Sequence, residues 1–269
     1  MIRKKRNGTD MKYKKIIATA LALASVISLG KSTVYATERE YSWYCIRCGN
    51  KQPPVTDEEK LLCGYGGFSI DRSVNDSSER KVIYLTFDCG YINENVIKIL
   101  DTLKDEEVSA AFFLLDNPII KNTDTVKRMI SEGHLLCNHT KKHKNISSYT
   151  KEQICEDLSA LERLYTEKTG EELAKYFRFP EGRYSISALE KVEELGYTTI
   201  FWSFAYDDWD NSRQMDVDKA FEKVLNNTHN GAVFLFHPTS NVNAEIFPDL
   251  IKEWKKNGYT FGTLDELCK

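Results

Sequence analysis

The chain has 269 residues, 41% hydrophobic and 29% charged, a balance that fits a globular protein and excludes an intrinsically disordered one. The formal net charge of −3 hides an asymmetry. Eight of the 37 basic and one of the 40 acidic residues fall within 1–36, which leaves 29 against 39 beyond them, a net of −10. An acidic body excludes generic nucleic-acid binding, which needs basic patches to displace counterions.

The first 36 residues read as an export signal. MKYKK is a basic n-region, with Met11 a candidate start of its own, Ile16 to Gly30 form an apolar h-region, and Val34-Tyr35-Ala36 is a V-x-A cleavage pattern. The competing reading is an uncleaved anchor, although fifteen apolar residues fall short of the roughly 20 that a span needs. Either way the body of the chain is expected outside the cytoplasmic membrane, with membrane contact through this segment alone. Seven cysteines follow, at 45, 48, 63, 89, 137, 155 and 268; the odd number leaves at least one thiol without an intramolecular partner. Cys45-Ile46-Arg47-Cys48-Gly49 resembles half of a zinc knuckle, with Cys63 a candidate third ligand and no fourth nearby. A local disulfide or free thiols are the alternatives. Cys137 and Cys155 sit on apolar faces and read as small core residues.

Residues 37–79 form an extension rich in turn signals, Pro53-Pro54, Gly64 and Gly66-Gly67. Its aromatics, Tyr41, Trp43, Tyr44, Tyr65 and Phe68, predict packing against the main domain, residues 80–269. From Arg80 the pattern becomes regular. Apolar runs at 82–87, 109–115, 134–138, 175–179, 198–204, 231–237 and 259–262 alternate with amphipathic stretches near 93–105, 123–132, 150–169, 185–195, 216–228 and 243–257. The runs are too continuous for half-exposed strands and read as buried parallel strands covered by helices. Gly170, Gly196 and Gly258 follow helical stretches, as helix-ending glycines should. The pattern predicts an α/β fold, a slightly incomplete (β/α) barrel of seven strands, with an open doubly wound sheet as the competing architecture.

Five polar residues sit just past the ends of successive apolar runs: Asp88 after VIYLTF, His139 after LLCN, Arg178 within KYFRFP, Asp208 after TTIFWSF and His237 after AVFLF. Polar residues at the strand ends of repeated strand–helix units read as an active site on the C-terminal face of a barrel, which favours an enzyme over a binding module. His139 and His143 are spaced to share one metal ion, though such a pair also occurs on solvated faces. Asp88, followed by Cys89-Gly90, is either a proton-abstracting carboxylate or a turn cap. Arg178 could hold Asp88 ionised or form an unrelated ion pair. An aspartate beside His237 would orient its ring and favour the protonated form that suits a general acid. Trp209 and Leu235 could line a small apolar pocket, with core packing the plainer reading of Trp209.

Taken together, the ordered motifs TFDCG, HTKKH, RFPEG, DDW and LFH resemble the polysaccharide deacetylase family, the NodB-homology or carbohydrate esterase family 4 domain, over residues 80–266. FWSFAYDDWD and NAEIFPDLIKEWKKNGYTFGTLDEL are more particularly similar to its δ-lactam-biosynthetic de-N-acetylase branch, which acts on muramic acid in spore-cortex peptidoglycan. The resemblance implies a distorted (β/α)7 barrel with Asp88 as general base, Arg178 supporting it, and His237 as general acid tuned by Asp208. It implies His139 and His143 as ligands of a divalent metal, zinc being the expected ion, and Trp209 and Leu235 around the acetyl methyl group. A backbone N–H near Glu181 is expected to stabilise the oxyanion, placing Glu181 on the substrate side. The implied partner is a peptidoglycan glycan strand, in the cell wall or spore cortex, with no protein partner.

Two departures stand out. Where the family carries a second aspartate as third metal ligand, this chain has Cys89. A thiolate binds zinc well, but the δ-lactam branch often has a small neutral residue there, so Cys89 is either a ligand or a packed side chain. Phe179 replaces a common proline. Alternative functions are deacetylation of N-acetylglucosamine in peptidoglycan or chitin oligomers, and a catalytically silent wall-binding protein. Only Cys89 favours the silent reading, since a pure binder needs none of the acid–base set.

Overall fold

In the computed structural model, which describes residues 38–269, the run VIYLTFD becomes the core of a nine-residue strand, β2 (Lys81–Cys89), buried along most of its length. The segment expected to direct export lies outside the described residues, none of whose helices is long and apolar enough to cross a membrane. Residues 39–269 form a single unit, so the extension is part of the domain rather than an appendage. At its start β1 (Tyr41–Ser42) pairs antiparallel with β6 (Arg183–Tyr184), and helix α1 (Asp57–Gly64) is capped by Thr56.

The principal sheet is wholly parallel, as the continuous apolar runs require. Its order is β7 (Thr198–Thr199), β5 (Ala174–Phe177), β4 (Leu135–Asn138), β3 (Ala111–Leu114), β2, β8 (Ala232–Phe236). All seven predicted strands are present, but the last, β9 (Tyr259–Phe261), takes an unexpected place. It pairs with Lys81–Ile83 of β2, below the stretch Thr86–Cys89 that pairs with β3. Because β8 also pairs with Ile83, β9 must lie on the opposite edge of β2. The barrel wall therefore has six staves, with β9 filling the foot of one gap.

Helices cover the outside. They are α2 (Glu94–Asp105), α3 (Asp116–Lys121), α4 (Thr123–Ser131), α5 (Lys151–Thr169), α6 (Ile186–Glu194), α7 (Val217–Leu225) and α8 (Asn241–Lys256), with a short α9 (Leu264–Leu267) at the C-terminal end. In α5, Ile154, Leu158, Leu161 and Tyr165 are buried, the spacing of one helical face. Thr150 and Gln153 form its capping box, and Gly170 ends it in a left-handed conformation.

Strand alternation splits the core. On β2, Ile83, Leu85, Phe87 and Cys89 pack outward among helix residues such as Val96, Ile99 and Phe247. Val82 and Tyr84 point inward, with Phe113, Cys137 and Val233. Asp88, His139, Arg178 and His237 share the parity of the inward-facing residues on their own strands, which aims all four at the mouth of the barrel.

β7 and β8 do not pair with each other. The chain peels away after Thr199 so that Phe204 bridges Phe234 on β8, and the wedge left below is filled by the extension, where Phe68 bridges Ile200 and Ile70 bridges Ala232. This is why the apolar run predicted as strand over 198–204 is a regular strand for only two residues. The foot of the wedge is tight: Asp71 N–H donates to the Gly231 carbonyl at 2.9 Å. Gly231 has φ +77°, and a Cβ there would lie 2.3 Å from the Asp71 carbonyl oxygen. Gly231→Ala should therefore cost about 2 kcal/mol or more of stability, read as a lower urea midpoint; an unchanged midpoint would show that the extension is not seated in this seam.

Candidate active site

Arg178, fully buried, organises the mouth of the barrel. Its Nη1 donates to Asp88 Oδ1 at 2.8 Å, its Nη2 to Thr86 Oγ1 at 2.8 Å, and its Nε to the Ile200 carbonyl at 3.0 Å. Thr86 Oγ1 in turn donates to the Phe234 carbonyl at 2.5 Å. The guanidinium lies 4.1 Å from the centre of the Phe113 ring, an arrangement in which a cation stacks on the apolar plug of the barrel. Burial alone would raise the Asp88 pKa, but His139, Arg178 and His237 together hold it below the ordinary carboxylate value of 3.8.

The Arg178 backbone does a second job. His139 Nδ1 lies 2.8 Å from the Arg178 carbonyl oxygen; a carbonyl only accepts, so Nδ1 carries the proton and Nε2 presents its lone pair. Nε2 is buried without a hydrogen-bond partner and lies 3.4 Å from Asp88 Oδ2. Two acceptors facing each other call for a proton or a cation between them. Burial, only partly opposed by Asp88, pushes the His139 pKa down to about 4, so the proton is absent at neutral pH. The His143 ring is 4.9 Å from that of His139, centre to centre. The two imidazoles thus fit a bound divalent cation.

Cys89 does not join them; of the two readings that the sequence leaves open, ligand or packed side chain, the structure shows the packed one. Its parity turns it into the helix-facing core, fully buried, with Sγ against the Tyr91 carbonyl at 3.5 Å. Burial and the neighbouring Asp88 push its thiol up to about 12. Among the described residues no three His, Cys, Asp or Glu side chains converge as a ready ligand set, which also leaves the Cys45–Cys48 half-knuckle incomplete. All seven cysteines are free thiols.

Across the mouth, His237 Nδ1 lies 2.7 Å from Asp208 Oδ1, and the His237 backbone N–H donates to Asp208 Oδ2 at 2.8 Å. Burial would depress the His237 pKa; the Asp208 carboxylate outweighs it and the pKa rises above 6.5. With Nδ1 committed to Asp208, Nε2–H is the proton available to a substrate. Sequence reasoning missed the residue that fixes this pair. Asn243, fully buried on α8, donates to Asp208 Oδ2 at 2.6 Å and to the His237 carbonyl at 3.1 Å, and accepts from the Tyr206 hydroxyl. The sequence marks Asn243 only as a polar residue among Val242, Ala244, Ile246 and Phe247, and its burial with full hydrogen bonding is what reveals its part in the site.

On the substrate side, Leu235 is buried with Phe201 and Trp202, whereas Trp209 is 58% exposed and lies outside that cluster. Glu181 is exposed beside Arg183. Its φ of +57° joins Thr140 (+67°) and His143 (+56°) among the four non-glycine residues with positive φ in the described part of the chain. Three of four such residues sit in loops around the mouth, where backbone strain tends to be kept for function.

Comparison with known proteins agrees with this geometry. A family model described as polysaccharide deacetylase matches residues 75–200. The peptidoglycan-N-acetylmuramic acid deacetylase PdaA of Bacillus subtilis is 33% identical over 256 residues, covering 94% of this chain and 95% of that protein. A peptidoglycan-N-acetylglucosamine deacetylase of Bacillus cereus is 30% identical over 197 residues, covering 71% of this chain and 90% of that protein. The solved structure of Bacillus subtilis PdaA, a family 4 carbohydrate esterase, superposes with a TM-score of 0.78 at 34% identity, covering 85% of this chain and 97% of that one. With the barrel, the buried Arg178–Asp88 pair and the Asp208–His237 pair on its rim, these likenesses make the chain a member of the polysaccharide deacetylase family, carbohydrate esterase family 4, and a peptidoglycan N-deacetylase.

Proposed function

We propose that the enzyme removes the N-acetyl group from N-acetylmuramic acid residues of peptidoglycan, outside the cytoplasmic membrane, and so prepares them for muramic δ-lactam formation in the spore cortex. The observation that carries this reading is the near full-length likeness to a muramic acid deacetylase, which extends over 94% of this chain. The N-acetylglucosamine deacetylase matches 71% of it, which makes that sugar the second reading.

The family's deacetylases depend on a metal, and His139 and His143 are the residues that would hold it. A divalent cation there, zinc in our reading, would acidify a water and polarise the acetamide carbonyl. Asp88, held ionised by Arg178, accepts a proton as the water oxygen bonds to the carbonyl carbon. His237 Nε2–H then protonates the nitrogen as the C–N bond breaks, leaving acetate and a free amine. Asp208 stabilises the imidazolium before that transfer. In muramic acid the amine lies near the lactyl carboxyl, so a lactam ring can close once the stem peptide is gone. The complete acid–base set speaks against a silent wall-binding role, for which it would be unnecessary.

Acetate release from peptidoglycan glycans with and without stem peptides, each with and without chelator, tests the reading. Release confined to peptide-free muramic acid and abolished by chelator is expected; release from N-acetylglucosamine units alone would replace it. Asp88→Asn should reduce kcat by about 100-fold or more with the domain still folded, and near wild-type acetate release would remove Asp88 as the base. The pH profile of kcat/KM should be a plateau. Activity is lost on the acid side as Asp88 is protonated below 3.8, and on the alkaline side as His237 loses its proton above 6.5. Asp208→Asn removes the carboxylate that raises the His237 pKa, so the alkaline limb should move to lower pH; an unmoved limb would mean that His237 is not the acid.

A further inference from the structure

The loop from His139 to His143 holds two strained residues, Thr140 and His143, and a β-branched side chain such as Thr140 rarely tolerates positive φ unless its surroundings enforce it. The enforcement comes from outside the loop. The Thr140 N–H donates to Asn138 Oδ1 at 2.9 Å. The next N–H, that of Lys141, donates to Asp157 Oδ1 at 2.8 Å. The Lys141 carbonyl accepts from the Asp116 N–H at 3.1 Å, and Lys142 Nζ lies 2.7 Å from the buried Asp116 carboxylate. Beside Asp157 on α5, the Leu158 carbonyl accepts from Asn138 Nδ2 at 3.2 Å. One turn of α5 is thereby tied to the chain on both sides of His139, and Lys141, the residue midway between the imidazoles, is gripped at its N–H by Asp157 and at its carbonyl by the Asp116 N–H.

A catalytic zinc ion usually has three protein ligands. Here Cys89 is turned away, so beyond the two imidazoles only Asp88, the base, faces the cation, and the affinity depends on how little the histidine pair must reorganise to bind. We propose that Asp157, assisted by Asp116, is a positioning residue for the cation: by fixing the Lys141 N–H it sets the His139–His143 spacing and offsets the missing third ligand. The inference rests on the histidine pair being the metal site, and it reaches beyond that reading to carboxylates that touch neither cation nor substrate. The favoured ligand class is a divalent ion that prefers imidazole, such as Zn²⁺.

The test is the Zn²⁺ affinity of the full chain, measured by competition with a chromophoric chelator. His139→Ala/His143→Ala serves as the reference for zinc held by the free thiols. Asp157→Ala should weaken the histidine-dependent affinity by about tenfold or more, with the metal-free melting temperature little changed. Asp157→Asn keeps an oxygen acceptor at the same place and should retain most of the affinity. Wild-type affinity in a folded Asp157→Ala protein would overturn the proposal, as would equal losses in the two variants, which would assign the effect to charge rather than position. If the alanine variant does not fold, Asp157→Glu displaces the acceptor by one methylene while keeping its charge, and undiminished affinity there would overturn the proposal equally. No difference between wild type and the double histidine variant would instead remove the metal-site reading on which the proposal stands.

Discussion

Everything at the barrel mouth depends on one buried ion pair. Arg178 and Asp88 are brought out of water together, and the desolvation cost is offset because the planar guanidinium also satisfies Thr86 and the Ile200 carbonyl. A lysine has no such fork. Removing either partner would leave the other charged and uncompensated, a loss of about 3–5 kcal/mol. The pair also bridges β2, the end of β5 and the segment that leaves β7, so the charge that prepares the base is the same group that closes the top of the barrel. The carbonyl of the same arginine sets the tautomer of His139. A change at Arg178 would therefore disturb base, metal ligand and barrel closure at once.

Two aspartates in this site do different work because their surroundings differ. Asp88 faces a fixed cation and is held ionised, which secures its role as an acceptor but weakens it as a base. That weakness is tolerable only where the attacking water is itself made more acidic. Asp208 spends its two oxygens on His237 and Asn243, and its charge is expressed as a proton kept on the imidazole. Acid and base are thus set on opposite sides of ordinary values by neighbours, with no group in an unusual chemical form.

Much of this was legible in the sequence. The covering helices followed from 3.6-residue periodicity and their closing glycines, and Asp88, His139, Arg178 and His237 announced themselves by ending apolar runs. Other features were hidden for physical reasons. The side of β2 that β9 occupies depends on long-range pairing, which local periodicity does not encode. The short α3 and the β1–β6 pairing carry too few residues for a periodic signal. The direction of Cys89 was available in principle, since alternation from an inward Asp88 turns its neighbour outward, but a motif comparison looks at residue identity before parity. Asn243 lies on an otherwise apolar helix face, and its role appears only when α8 is set against the Asp208 loop.

The wedge occupied by Phe68 and Ile70 bears on how such a chain reaches its native state. These residues belong to the first part of the domain to be synthesised, yet their partners, Ile200 and Ala232, come near its end. Contacts of that separation are slow to form because a long loop must be closed before they stabilise anything. Until they form, β7 and β8 present unpaired edges, the kind of surface that recruits other chains. A chain made from its N-terminus holds this seam open until its last third is available, so these edges stay exposed for longer than those of a barrel closed by neighbouring strands.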